Sequence, residues 1–76
     1  MKSRVAVTHQ TDEYAFVWMD NDVAETIKQI DGVVKVSRID SDPEGRYFVM
    51  IDPRYRADDV RDAIIKAGEE QHGNAG

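Results

Sequence analysis

Apolar positions along this chain switch between two periods, and the switches mark out six elements. Residues 4–9, Arg-Val-Ala-Val-Thr-His, alternate, with Val5 and Val7 on one side and Arg4, Ala6 and Thr8 on the other. A period of two predicts a half-buried strand. Gln10-Thr11-Asp12-Glu13 reads as a polar turn, and residues 14–19, Tyr-Ala-Phe-Val-Trp-Met, are dense in aromatic and β-branched side chains, which predicts a second strand forming a hairpin with the first. The period then lengthens, so that Val23, Ala24, Ile27 and Ile30 share one stripe of a short helix while Glu25, Lys28 and Gln29 face water. Asp20-Asn21-Asp22 supply side chains able to accept the free amide hydrogens of the helix start, and Asp31-Gly32 end it. Residues 33–39 predict a third strand, Asp40 to Gly45 a turn, and residues 46–51 a fourth strand that Asp52-Pro53 breaks. A second helix opens at Asp58-Asp59, carries Val60, Ala63, Ile64 and Ala67 on one stripe, and closes at Gly68.

The predicted order β-β-α-β-β-α describes an α+β two-layer sandwich, a four-stranded antiparallel sheet with two helices on one face. Residues 1–68 form one domain, and the tail from Glu69 to Gly76, which holds two glycines and no large apolar residue, is expected to be disordered. With 76 residues there is room for one small core. The chain has no cysteine, which removes disulfides, a thiolate nucleophile and thiolate-bound metal centres. Fifteen acidic against ten basic side chains give a formal charge of -5, arguing against a general affinity for phosphate backbones or anionic lipid. The longest apolar run, Ala15 to Met19, is far short of the roughly 20 residues of a spanning helix. The expectation is a soluble cytoplasmic protein with no membrane partner.

From Ile30 to Gly68 a spacing emerges: Ile30-Asp31-Gly32-Val33, then Val36, then Val49-Met50-Ile51-Asp52-Pro53, then Val60, Ala63-Ile64 and Ala67-Gly68. This resembles the heavy-metal-associated, copper-chaperone-like domain, and the resemblance implies a ferredoxin-like fold. The family's CxxC loop does not carry over, since its two cysteine positions fall on Phe16 and Met19. The chain also lacks a closing strand after Gly68 and has an extra strand at residues 4–9, which would take the closing strand's place beside residues 14–19. The resemblance therefore implies a permuted ferredoxin-like sheet without the copper chemistry.

Other candidate chemistry is thin. His9, His72, Met1, Met19 and Met50 show no convergence of soft ligands, and the segment Asp40 to Gly45 departs from a calcium loop in its proline and its missing downstream glutamate. Asp20, Asp22, Asp58 and Asp59 have helix capping as a sufficient role, and no serine has a histidine nearby in sequence. No metal, no cofactor and no enzymatic activity are expected.

The aromatics are the informative feature. On strand 14–19, Tyr14, Phe16 and Trp18 share one face and Ala15, Val17 and Met19 the other. By the resemblance, Val34, Val36, Tyr47, Val49 and Ile51 point to the helices, which leaves Phe48 and Met50 on the uncovered face. Strands 14–19 and 46–51 would be central, and strand 33–39 an edge guarded by Lys35 and Arg38. The open face would then show Tyr14, Phe16, Trp18, Phe48 and Met50 side by side. Large exposed apolar patches mark partner sites, and three accounts compete. One is a small non-enzymatic interaction module that binds a protein partner or forms a homodimer. The alternative is single-stranded nucleic acid stacking on the same rings, with Arg4, Lys35, Arg46, Arg54 and Arg56 as a rim; the charge of -5 makes nucleic acid the less favoured. In the third, the strand parity is reversed and Tyr14, Phe16 and Trp18 are core.

Overall fold

The computed structural model describes residues 5–73, with side chains described as far as Glu69. Met1, Arg4 and residues 74–76 lie outside the described residues, as does the side chain of His72. Four strands and two helices follow in the order β1 (Val5–Gln10), β2 (Tyr14–Met19), α1 (Asn21–Ile27), β3 (Val33–Arg38), β4 (Tyr47–Ile51) and α2 (Ala57–Gly73). The strands form one antiparallel sheet in the spatial order β1-β2-β4-β3. Hence β2 and β4 are central and β1 and β3 are edges.

Both helices pack on one face of this sheet. Alternation in β2 sends Ala15, Val17 and Met19 inward, and alternation in β4 does the same for Tyr47, Val49 and Ile51. They meet Val23, Ala24 and Ile27 of α1 and Ala57, Val60 and Ile64 of α2. Val17, Val23, Ile27, Val49 and Ile64 are fully buried, and each such side chain contributes about 1.5–3 kcal/mol through loss of apolar surface to water. At the end of the sheet the Tyr47 hydroxyl, the one polar tip on this face of β4, donates to Asn21 Oδ1 at the start of α1.

Two irregularities redirect side chains that plain alternation would misplace. In β1 the register slips between Val7, opposite Val17, and His9, opposite Phe16. The extra residue, Thr8, reverses the parity of everything after it, as a bulge does. His9 therefore lies on the open face, and Gln10 turns toward α2, where its Nε2 donates to Asp58 Oδ1 at 3.1 Å. In β3 the slip between Val33 and Lys35 leaves Val34 in the bulge, 56% exposed. Val34 thus does not point to the helices, contrary to the expectation from sequence. Val33 and Val36 lie against the core instead, three residues apart because the bulge intervenes.

Element ends also differ from the sequence expectation. Asp20 makes no side-chain cap hydrogen bond; its backbone carbonyl accepts the Ala24 amide at 3.0 Å. The apolar stripe reaches Ile30, but α1 stops at Ile27 and closes through tighter i to i+3 bonds, Gln29 to Thr26 and Ile30 to Ile27. Gly32 then turns the chain into β3 at φ 97°, and a Cβ there would lie 2.8 Å from Val60 Cγ2 and 3.0 Å from the Tyr55 ring. The second helix passes Gly68 and continues to Gly73. Glu69, Glu70 and Gln71 are good helix formers, which offsets a single interior glycine. Of the tail expected to be disordered, residues 69–73 are helical and residues 74–76 lie outside the described residues.

Candidate functional site

The face of the sheet away from the helices carries large rings. Because Ala15, Val17 and Met19 are buried, Tyr14, Phe16 and Trp18 of β2 must project the other way, and Phe48 and Met50 of β4 follow by the same alternation. Cross-strand register sets Phe16 opposite Phe48 and Tyr14 opposite Met50. Ring centroids are 5.4 Å apart for Tyr14 and Phe16, 5.6 Å for Tyr14 and Phe48, and 6.3 Å for Phe16 and Phe48. These are the separations of favourable tilted and offset aromatic pairs. The face also holds the large exposed apolar residues Trp18, at 45%, and Met50, at 38%. A face left for water is ordinarily polar in an antiparallel sheet, and this one is not.

Tyr14, Phe16 and Phe48 are brought into mutual contact, Met50 completes the β4 side, and Trp18 lies at the far end opposite Ala6. A hollow of about 330 Å³ opens at the Tyr14 end between Tyr14, Phe48, Met50 and Pro53. A second hollow, of about 380 Å³, lies off this face, between the β1–β2 turn and the start of α2.

Two members of the face were not assigned to it from sequence. His9 joins the ring cluster, 5.6 Å from Phe16 and 6.0 Å from Tyr14. Its position depends on the Thr8 bulge, which no periodicity in the segment signals. Arg46, considered from sequence only as part of a basic rim, places its guanidinium 5.7 Å from the Phe16 centroid, a cation over an aromatic face. Asp42 holds it there from the β3–β4 turn. The Asp42 carboxylate accepts from Arg46 Nε at 2.8 Å, from Nη2 at 3.1 Å and from the Arg46 backbone amide at 2.7 Å. Arg46 Nη1 donates to Thr8 Oγ1 at 3.2 Å, so the side chain straps β4 to β1 across the intervening β2. A signal for this pairing was visible as Asp42 and Arg46 flanking a turn that contains Gly45, where φ is 70°.

The electrostatics follow from these bonds. Hydrogen bonds from Arg46 hold the Asp42 carboxyl down at about 2 and push the guanidinium above its ordinary value. The Asp42 side chain is only 5% exposed, which strengthens the pair relative to an open ion pair. Asp52 is likewise lowered by hydrogen bonds from Arg54, but in the loop after β4. Along the open face the register places Ala6, His9, Lys35 and Ser37 beside the rings, and no strand residue pointing that way is acidic.

Phe16 and Met19, where the resemblance puts the two metal-binding cysteines, lie within β2 on opposite faces of the sheet. Among the described residues no group of three or more His, Asp or Glu side chains could hold a metal ion, and no helix is long and apolar enough to cross a membrane. The chain matches no protein-family model, no curated protein and no solved structure.

Proposed function

We propose that this chain is a small non-enzymatic interaction module that binds a protein partner, or a second copy of itself, through the open face of its sheet. One observation carries the reading: Tyr14, Phe16 and Phe48 are packed ring against ring on the side of the sheet that neither helix covers, with Trp18 and Met50 exposed beside them. Aromatic residues, Met and Arg are what the buried centres of protein interfaces are enriched in, and charged groups are what those centres lack. The strand order β1-β2-β4-β3 supports reading the fold as a permuted ferredoxin-like sandwich, in which β1 occupies the edge beside β2 that a closing strand would take.

Replacing Trp18 or Phe48 with serine tests the reading. Each variant is expected to keep the far-ultraviolet circular dichroism of the parent while losing its binding of an apolar fluorescent dye. Unfolding of the monomer by either change would show that the ring belongs to the stabilising core and would end the proposal. Nucleic acid is tested in the same experiment by titrating a short single-stranded oligonucleotide at low salt. Trp18 quenching at micromolar protein would transfer the face to base stacking, and an unchanged signal is expected.

A further inference from the structure

Two hollows meet at the β1–β2 turn, and Glu13 and Pro53 border both. The first, about 330 Å³ at the Tyr14 end of the open face, is otherwise walled by Tyr14, Phe48, Met50 and Ile51. The second, about 380 Å³, adds Asp12, Tyr55, Arg56 and Asp58. Glu13 is the last residue of the turn, and alternation in β2 and β4 sets Tyr14, Phe48 and Met50 beside it on the face the helices leave uncovered. Its place is fixed before anything binds. Thr11 Oγ1 accepts the Glu13 amide at 3.2 Å, and the Glu13 carbonyl accepts the Ile51 amide at 2.9 Å, which ties the turn to the end of β4. A wall already ordered spares a ligand the cost of ordering it.

Charge decides what kind of group fits. Asp12 and Glu13 are exposed, and among the described residues neither carboxylate accepts a hydrogen bond or joins an ion pair. The neighbouring cations are committed or stand apart. Arg54 is held by Asp52 through Nε and Nη2, and Lys35 lies on β3 across Met50 from Tyr14 and borders neither hollow. Arg56 lines only the second hollow, among Asp12, Glu13 and Asp58, and Asp58 also faces Arg61. Over the whole chain the formal charge is -5, so the long-range field draws cations. An apolar hollow edged by an unpaired carboxylate suits a side chain that is apolar along its stem and positive at its tip, which describes lysine and arginine. The faces of Tyr14 and Phe48 attract a cation as well.

We infer that the hollow at Glu13 takes a lysine or arginine side chain of a protein partner, its stem against Tyr14, Phe48 and Met50 and its charged head at Glu13, with Asp12 beside it. This rests on the proposed function and names what the partner presents to the face. The two ends of the face then do different work: Phe16 and Trp18 supply apolar area without regard to charge, and the turn end selects the sign. A single exposed charge pair and a short stem make a weak contact, so one basic residue by itself is held only in the millimolar range, roughly.

Heteronuclear NMR of the full chain, titrated with a blocked leucine-lysine-leucine tripeptide, tests this, with norleucine or glutamate in place of the lysine as controls. The lysine peptide is expected to shift the amides of Glu13, Tyr14, Phe48 and Met50. The norleucine peptide, which keeps the stem and drops the charge, is expected to bind about threefold weaker or worse, and the glutamate peptide to leave those amides unmoved. Glu13→Gln is expected to bring the lysine peptide down to the norleucine level, and high salt to do the same in the parent. Should Glu13→Gln fail to fold, the three peptides and the salt series still decide. Equal binding of the lysine and norleucine peptides, a glutamate peptide that binds as well, shifts confined to Asp59 and Asp62 on α2, or no shift with any peptide would each overturn the inference. Trp18→Ser separates the two levels. Loss of dye binding in folded Trp18→Ser retains the interaction reading even where lysine is not preferred, whereas unfolding of Trp18→Ser removes both.

Discussion

The two faces of the sheet are made from alternating residues of the same strands, yet they are packed by different rules. Under the helices stand Ala15, Val17, Met19, Val49 and Ile51, small or aliphatic and at most 5% exposed, with Tyr47 buried at the end of the sheet. On the other side stand Tyr14, Phe16, Trp18, Phe48 and Met50, larger and partly wet. Helices approach a sheet most closely where side chains are short, so size sorted most of these residues along with hydrophobicity, Tyr47 at the end of the sheet excepted. Both faces are apolar; what separates them is whether this chain supplies the cover.

Substitutions that act on one face alone break the comparison most sharply. Ile64→Ala empties a fully buried position in α2 and is expected to cost about 3 kcal/mol. That is a large share of the roughly 4–11 kcal/mol available to a chain this size, and the urea midpoint should collapse. Gly32→Ala, which forces a Cβ against Val60 at positive φ, is expected to cost about 2 kcal/mol in the same measurement.

Acid titration examines the open face. Asp42 is held at about 2 in the fold against 3.8 as its ordinary value, so the unfolded chain takes up the proton first. The stability contributed by the pair is complete above pH 3.8 and is lost as the pH falls from there toward 2. Asp42→Asn should remove that part of the acid transition, as followed by thermal unfolding across the interval.

Smaller effects sharpen the contrast. Gln10→Ala cuts a tether from β1 to Asp58 and Arg61 of α2 and should cost about 0.5–1 kcal/mol, measured by urea unfolding. Trp18→Ser, one residue from fully buried Val17, should shift monomer stability by only about 0.5 kcal/mol while removing association. A loss comparable to that of Ile64→Ala would erase the distinction between the faces.

Much of this was legible in the chain. Period-two alternation through residues 14–19 and 47–51 separates Tyr14, Phe16, Trp18, Phe48 and Met50 from Ala15, Val17, Met19, Tyr47, Val49 and Ile51, and turn residues bracket the elements. What alternation left open was which row the helices would take, since both are apolar. It also misplaced Val34, and it gave no sign that His9 would leave the side of Val5 and Val7. Each of these depends on one residue being squeezed out of a hydrogen-bonded ladder, which is decided by the partner strand rather than by local preference.

The sequence by itself determined the existence and order of the elements, because periodicity and turn chemistry act over a few residues. It determined as well that Tyr14, Phe16 and Trp18 of β2 share one face. Only the tertiary structure decided that the aromatic face stays uncovered, that Thr8 and Val34 bulge, and that Arg46 reaches across β2 to Thr8 under the hold of Asp42. Those outcomes join residues as much as 38 positions apart in the chain, and contacts at that range form only after the sheet has brought β1 and β4 to either side of β2.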